Sequence, residues 1–206
     1  NALRALGREQ DALAAYDAAL AAAPNHPGAW TNRGMALAAL NRPGDAVASY
    51  DRALALQPDN GDVHFNNALS LLTIGDYPRG LAEYEWRFKR AGIGPRKDLR
   101  RPLWLGETPL AGKTILLHAE QGFGDSIQFL RYLPMVAEKG GKIILEIPDG
   151  LAPLVKNAGN IDGIYRRGDA LPQFDVHCPL MSLPLAFGTT IDTIPALVGG
   201  YRPDGV

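Results

Sequence analysis

The pattern Asp11-Ala12, Tyr16, Ala19, Pro24 returns as Asp45-Ala46, Tyr50, Ala53, Pro58, offset by 34 residues at every point. A constant period of this length constrains the fold more tightly than any composition does. Each copy is a small supersecondary unit that cannot bury its apolar stripe alone and must stack on its neighbours. Apolar residues fall at spacings of three and four, the helical period. Turn-forming runs separate the segments at Asn41-Arg42-Pro43-Gly44 and Gly75-Asp76-Tyr77-Pro78. Antiparallel helix pairs are therefore expected. An ordinary alanine-rich bundle would not demand a constant period.

The small residue, the aromatic four later, the Ala three beyond and the Pro five further on resemble the second helix and closing turn of a tetratricopeptide repeat (TPR). Trp30, Gly34 and Leu37 fall where that family places the packing residues of its first helix. The resemblance implies TPR repeats over residues 1–91: a partial copy at 1–26, a complete one at about 27–60 and a degenerate one at about 61–91. In the last copy Phe65, Ala68, Leu71 and Tyr84 stay in register, but Gly80 and Arg87 stand where the previous copy has Ala46 and Ala53. Because roughly three repeats are needed for stability, and the chain opens in mid-pattern at Asn1, further repeats are expected upstream.

Asn32 and Asn66 are one period apart, at the same place on successive first helices, on the side expected to face a solenoid's groove. An amide offers donor and acceptor together, which suits it to hold a peptide backbone irrespective of side chains. The pair resembles the asparagine ladder of the O-linked N-acetylglucosamine transferases, which also join TPRs to a glycosyltransferase. An exposed Asn is equally ordinary on a helix surface, so both readings stand at this point. Arg33, Asn67 and His64 are further groove candidates, and the implied partner is a protein or peptide.

Charge and cysteine content narrow the classes. The 21 basic and 22 acidic residues leave a net charge of -1, so no global field recruits nucleic acid or an anionic membrane. A single cysteine, Cys178, excludes an internal disulfide framework and a cysteine-rich zinc site and suits a reducing compartment, with cytoplasm the expectation. No apolar run approaches the roughly 20 residues of a membrane span, and no signal-peptide pattern is visible. No metal set is expected.

The helical pattern ends after Tyr84-Glu85-Trp86-Arg87-Phe88. Residues 92–109 read as a linker with a basic run, Arg96, Lys97, Arg100 and Arg101, more in keeping with a solvated or salt-bridged connector than a phosphate site. Trp86 and Trp104 are candidates for docking the flanking domains. From residue 110 to 206 the pattern alternates: strand Lys113–His118, an amphipathic helix Ser126–Lys139, strand Lys142–Ile147, a helix about Leu151–Asn157, and strands near Ile164-Tyr165 and Phe174–His177. That alternation predicts a parallel, helix-covered sheet with right-handed crossovers, a Rossmann-like α/β domain following the α-solenoid. In such sheets the chemistry gathers beyond the carboxyl ends of the strands. The loops in question are His118-Ala119-Glu120-Gln121-Gly122-Phe123-Gly124-Asp125 and His177-Cys178-Pro179-Leu180.

Gly122 and Gly124 fit only part of a dinucleotide fingerprint, whose third glycine would fall at Ile127, and no Lys-Ser/Thr pair follows to make a Walker loop. A close-approach turn at a helix start remains, with Gln121, Gly122, Phe123 and Gly124 as its ligand-binding candidates. The loop, the following Ile-Gln-Phe-Leu-Arg-Tyr and the later Phe-Asp-Val-His-Cys-Pro-Leu resemble the bacterial TPR-glycosyltransferase proteins, which are similar to the heptosyltransferases of glycosyltransferase family nine. The resemblance covers most of residues 100–195. It implies one half of a two-lobed GT-B fold, the acceptor side, truncated at the C-terminal side before the donor lobe. The 206-residue piece is then expected to be inactive alone, to hold no cofactor, and to use a nucleotide-sugar donor and a sugar or glycan acceptor only when full length. By the same resemblance Gly124-Asp125 matches the pair whose carboxylate is a general base, with Glu120, His118 and His177 as alternative acid-base groups. The competing reading is that Asp125 caps its helix, and a scaffold without catalysis competes with the enzyme.

Overall fold

A computed structural model describes residues 6–90, 94, 96, 98–155 and 161–196, and the chain divides into two compact units, Asn1–Arg96 and Lys97–Val206. The first is all helical: α1 Glu9–Ala22, α2 Pro27–Ala39, α3 Pro43–Leu56, α4 Gly61–Thr73 and α5 Tyr77–Tyr84, followed by a 3-10 segment, Glu85–Lys89.

The 34-residue period is visible in the atoms that start and stop these helices. His26 Nδ1 accepts from the Ala29 N–H at 3.1 Å to cap α2, and one period later Asn60 Oδ1 accepts from the Val63 N–H at 3.3 Å to cap α4. At the other ends, Asn41 (φ 57) and Gly75 (φ 85) occupy the left-handed position that closes the helix. Arg42 N–H then reaches back to Leu37 O, and Asp76 N–H to Leu71 O, both at 2.9 Å. This is the doubled-back C-cap that a left-handed residue permits. Inside the stack Leu13, Leu37, Ala46, Tyr50, Ala53 and Val63 form one buried cluster. Gly34 is required there by packing: a Cβ on it would lie 2.5 Å from Tyr50 Cε1.

The degenerate copy compensates for its substitutions. Gly80 replaces an alanine because Leu72, which stands where the earlier copy has Ala38, already fills the space; a Cβ at Gly80 would be 2.8 Å from Leu72 Cγ. Arg87, at the position of Ala53, is 3% exposed, and α5 gives way to the 3-10 segment ahead of it. Its Nη1 donates to Tyr84 O and Glu85 Oε1 at 3.2 and 2.6 Å, and its guanidinium lies 4.1 Å from the Phe88 ring centroid. The segment folds back along α4. Arg90 pairs with Asp62 at 2.8 Å and lies over the Phe65 ring, and the Lys89 carbonyl comes so close to Gly61 that a Cβ there would be 2.9 Å from it.

The second unit is α/β. Strands β1 Thr114–His118, β2 Lys142–Ile147, β3 Gly163–Arg166 and β4 Val176–Pro179 form one all-parallel sheet in the order β3-β2-β1-β4. Parallel pairing requires crossovers. They carry α6 Phe123–Phe129, α7 Leu133–Glu138, α8 Ala152–Val155 and, after β4, α9 Leu183–Ala186. The core on one sheet face combines Ile115, Leu117, Ile143, Leu145, Val176 and Cys178 with Leu130, Leu133 and Val136 from the helices.

Two expectations need correction. The helix expected over Ser126–Lys139 is two helices joined by a 3-10 turn, Leu130–Tyr132. Pro134 lacks the N–H that would continue the ladder and its ring crowds the carbonyl of Leu130, so it sits at the start of α7 instead. The helix expected about Leu151–Asn157 is described as Ala152–Val155, and Asn157 lies outside the described residues, as do Gly92, Pro95 and Lys97 of the junction. Residues 102–104, expected within a linker, are built into the second unit: Trp104 N–H donates to His177 O at 2.8 Å, His177 N–H donates to Pro102 O at 3.0 Å, and Leu103 bridges His177 in parallel. Trp104 is 1% exposed and packs edge-on to Phe187, while Trp86 stacks on His64, so each is used inside its own unit.

Candidate functional sites

In the helical unit the two repeat asparagines hold equivalent, half-buried places on α2 and α4. Asn66 lines a cleft of about 160 Å³ with Ala38, Asn41, Tyr50, Leu69 and Thr73, and Leu69 leaves 46% of its surface exposed there. Charged side chains are absent from this lining.

The remaining groove candidates are spent on holding the stack together. Arg33 Nε pairs with Asp17 at 2.7 Å and its Nη1 donates to Ser49 at 2.8 Å. One period on, Asn67 donates to Asp51 at 3.0 Å and is fully buried. Asp17 and Asp51 are themselves one period apart, so Arg33 and Asn67 make the same polar contact between successive hairpins. His64 is 8% exposed; its Nε2 meets Pro58 O at 2.7 Å, its Nδ1 pairs with Glu83, and its ring stacks on Trp86. Trp30 Nε1 donates to Pro24 O at 2.7 Å in the preceding copy. His64 therefore occupies the packing position of Trp30, a fact legible from their 34-residue separation that the groove reading passed over.

In the α/β unit the sequence order of the strands reverses between β1 and β4, the place where open sheets of this kind bind ligands. Two of the named histidines meet there. His118 Nε2 and His177 Nδ1 lie 3.1 Å apart across the junction, with ring planes tilted by 38°. Beside them on β2, Glu146 is in register with His118 and is 2% exposed. A run of titratable groups thus crosses adjacent strands near their carboxyl ends. Cys178, by contrast, is buried in the apolar core.

The loop after β1 leaves the sheet through Ala119, whose N–H donates to Glu146 O at 2.9 Å and whose carbonyl accepts from Arg167 at 3.1 Å. Glu120 is half-buried at its start, and Gln121, Gly122, Phe123 and Gly124 are exposed along its rim. The N-cap of α6 is Gly122, which has no side chain with which to cap. Asp125, half-buried in the first turn, makes no cap bond, so the capping role weighed for it is not what it does. Its charge still suits the helix start. Neither Gly122 nor Gly124 adopts a positive φ, and a Cβ on either would meet nothing within 4 Å. Packing does not demand glycine at these positions, and the backbone there is bare. Among the described residues no group of three or more His, Cys, Asp or Glu is arranged to hold a metal ion, and no helix is long and apolar enough to cross a membrane.

Comparison with known proteins fits the helical period. A tetratricopeptide-repeat family matches residues 3–69. Protein FlbA of Caulobacter vibrioides is 35% identical over 88 residues, which is 41% of this chain and 15% of FlbA. Among solved structures, a Thermobaculum terrenum O-GlcNAc transferase mutant aligns over 83% of this chain and 40% of its own, with 15% identity and a TM-score of 0.38, a likeness too distant to carry function. The chain thus spans well under half the length of either protein. The helical hairpins of the first unit match the tetratricopeptide-repeat family over residues 3–69.

Proposed function

We propose that this chain is a TPR protein-binding module joined to the acceptor-side half of a glycosyltransferase-like domain, which transfers a sugar from a nucleotide-sugar donor in the full-length protein. The observation that carries the reading is Asp125: a half-buried carboxylate with no capping task, on the loop beyond β1 and next to the β1/β4 junction. In the step proposed, an acceptor hydroxyl oxygen forms a bond to the anomeric carbon as the bond to the nucleoside diphosphate breaks. The hydroxyl proton passes to the Asp125 carboxylate, and the electron pair leaves with the diphosphate. His118, His177 and Glu120, at the carboxyl ends of β1 and β4 and on the loop after β1, are the alternative acid-base groups. The second lobe is expected to supply the donor's nucleotide site.

The second reading, a non-catalytic scaffold, draws its support from the uncharged cleft at Asn66. The two are separated by titrating nucleotide sugars into the full-length protein and assaying transfer with Asp125→Asn and with Asn32→Ala/Asn66→Ala. The enzyme reading expects donor binding, and loss of transfer in the Asp125 variant with folding retained. Absence of any donor binding, or an Asp125→Asn protein that transfers normally, sinks it. A pure scaffold tolerates Asp125→Asn and loses its partner in the asparagine double variant.

A further inference from the structure

We propose that His118 and His177 form an acid-sensitive latch, which holds residues 102–104 on the sheet at neutral pH and releases them when both rings are charged. The inference is independent of whether the chain belongs to an enzyme. Alternation along β1, β2 and β4 puts Ile115, Leu117, Ile143, Leu145, Val176 and Cys178 into the main core, and His118, Glu146 and His177 on the opposite face. His118 is 2% exposed there, and its Nε2 lies 3.1 Å from His177 Nδ1. At that separation one nitrogen donates and the other accepts. The bond therefore survives with both rings neutral or with one charged, and is lost when both are charged and N–H faces N–H.

His177 joins that bond to the start of the unit. Its backbone N–H donates to Pro102 O at 3.0 Å and its carbonyl accepts from the Trp104 N–H at 2.8 Å, with Leu103 as the bridge between them. Driving the His177 ring away from β1 thus pulls on the residue to which 102–104 are tied. The neighbouring charges permit one proton and oppose a second. Glu146, in register with His118 and 2% exposed, balances one imidazolium. Arg167 sets a guanidinium on the Ala119 carbonyl at 3.1 Å, one residue beyond His118, and adds to the repulsion. Glu120 is half-buried in the loop that follows, and Tyr165 is in register with Glu146 on β3. Residues 102–104 and 178–186 carry no ionisable side chain except Cys178 on the other face. Two imidazoliums in contact repel, and one fully buried carboxylate does not neutralise both. Rings that have separated are free of that restriction, and each takes a proton below about pH 6.5. Below that value the released form binds one proton more than the latched form, so its population grows roughly tenfold per pH unit.

Hydrogen exchange read by mass spectrometry on the 206-residue chain, corrected for the intrinsic pH dependence of amide exchange, follows the segment 102–105 from pH 7.5 to 5.0. Its opening is expected to rise roughly tenfold per unit below about pH 6.5, while the amides of α3 keep their protection. His177→Gln keeps a hydrogen-bonding side chain but gains no charge, and should flatten the dependence to less than about twofold over the range. A wild-type segment whose opening does not change with pH overturns the latch, as does a His177→Gln chain that opens with the wild-type slope. If the variant does not fold, the ring nitrogens of wild-type chain labelled at histidine with nitrogen-15 decide. Proton uptake by His118 and His177 in two separated steps supports the pair, and uptake by both in a single step overturns it.

Discussion

Gly34→Ala and Gly44→Ala are the same chemical change in adjacent helices, and the structure gives them opposite signs. Alanine is favoured over glycine in a helix interior by about 1 kcal/mol, so propensity alone stabilises both. At Gly44 a Cβ meets nothing within 4 Å. The gain survives there, reduced to about 0.5 kcal/mol because the residue lies in the first turn of α3. At Gly34 the new Cβ would stand 2.5, 2.8 and 2.9 Å from three atoms of the Tyr50 ring, which is 2% exposed and packed among Leu37, Ala46 and Ala53. Overpacking a filled core costs roughly 1–3 kcal/mol. With three contacts under 3 Å the upper part of that range applies, and the net loss is about 1–2 kcal/mol. For a domain of 60–100 residues each kcal/mol moves the midpoint by about 4–8 °C. Thermal unfolding followed by circular dichroism at 222 nm should show the helical transition falling by roughly 5–15 °C in Gly34→Ala and rising by about 2–4 °C in Gly44→Ala. A Tyr50→Leu background should remove most of the Gly34→Ala penalty. Shifts of the same sign in the two alanine variants would refute the packing argument.

The remaining expectations concern the last repeat and the loop. Gly80→Ala should destabilise by about 1 kcal/mol, and adding Leu72→Ala, which restores the alanine pair of the preceding copy, should make the two changes clearly non-additive in a double-mutant cycle read by urea denaturation. His64→Ala strands Glu83 and the Pro58 carbonyl and should cost about 1–3 kcal/mol, with a change in tryptophan emission as the Trp86 stack is lost. Asp125→Asn should leave the midpoint within about 0.5 kcal/mol, since the carboxylate makes no cap bond; a larger loss in chemical denaturation would mean that Asp125 is structural.

The helical half was legible because a repeat writes the same contacts twice. Asn41 and Gly75, or His26 and Asn60, look unrelated as residue types, yet the period pairs them and the structure gives each pair one role. The same period pairs His64 with Trp30, although the polarity of His64 on its own suggests a groove contact. In the α/β half, β2 was read to the residue, since a run of branched apolar residues between glycine and proline leaves little choice. Pro134 was harder. A proline inside an amphipathic pattern is compatible with a kink or a fresh start, and only the packing of Leu130 and Leu133 into one core decides for the latter. The strap at Leu103 and the meeting of His118 with His177 could not be read, because both depend on neighbours far along the chain.

That strap bears on how the protein is made. Every described pairing that builds the repeats joins residues a few turns or one period apart, so each hairpin can close as soon as its second helix has left the ribosome. Residues 102–104 find their partner only in β4, at His177, and β1 obtains its second neighbour from the same strand. The α/β unit must therefore wait for more than 70 residues of synthesis beyond its first segment before its sheet can be completed. Contact order predicts slow closure for such a topology and fast closure for the repeats. The nascent chain passes through an interval in which the described hairpins have closed while the sheet is still open, and during that interval Leu116, Ile144 and the apolar core of β1 and β2 are the surfaces most exposed to misassociation.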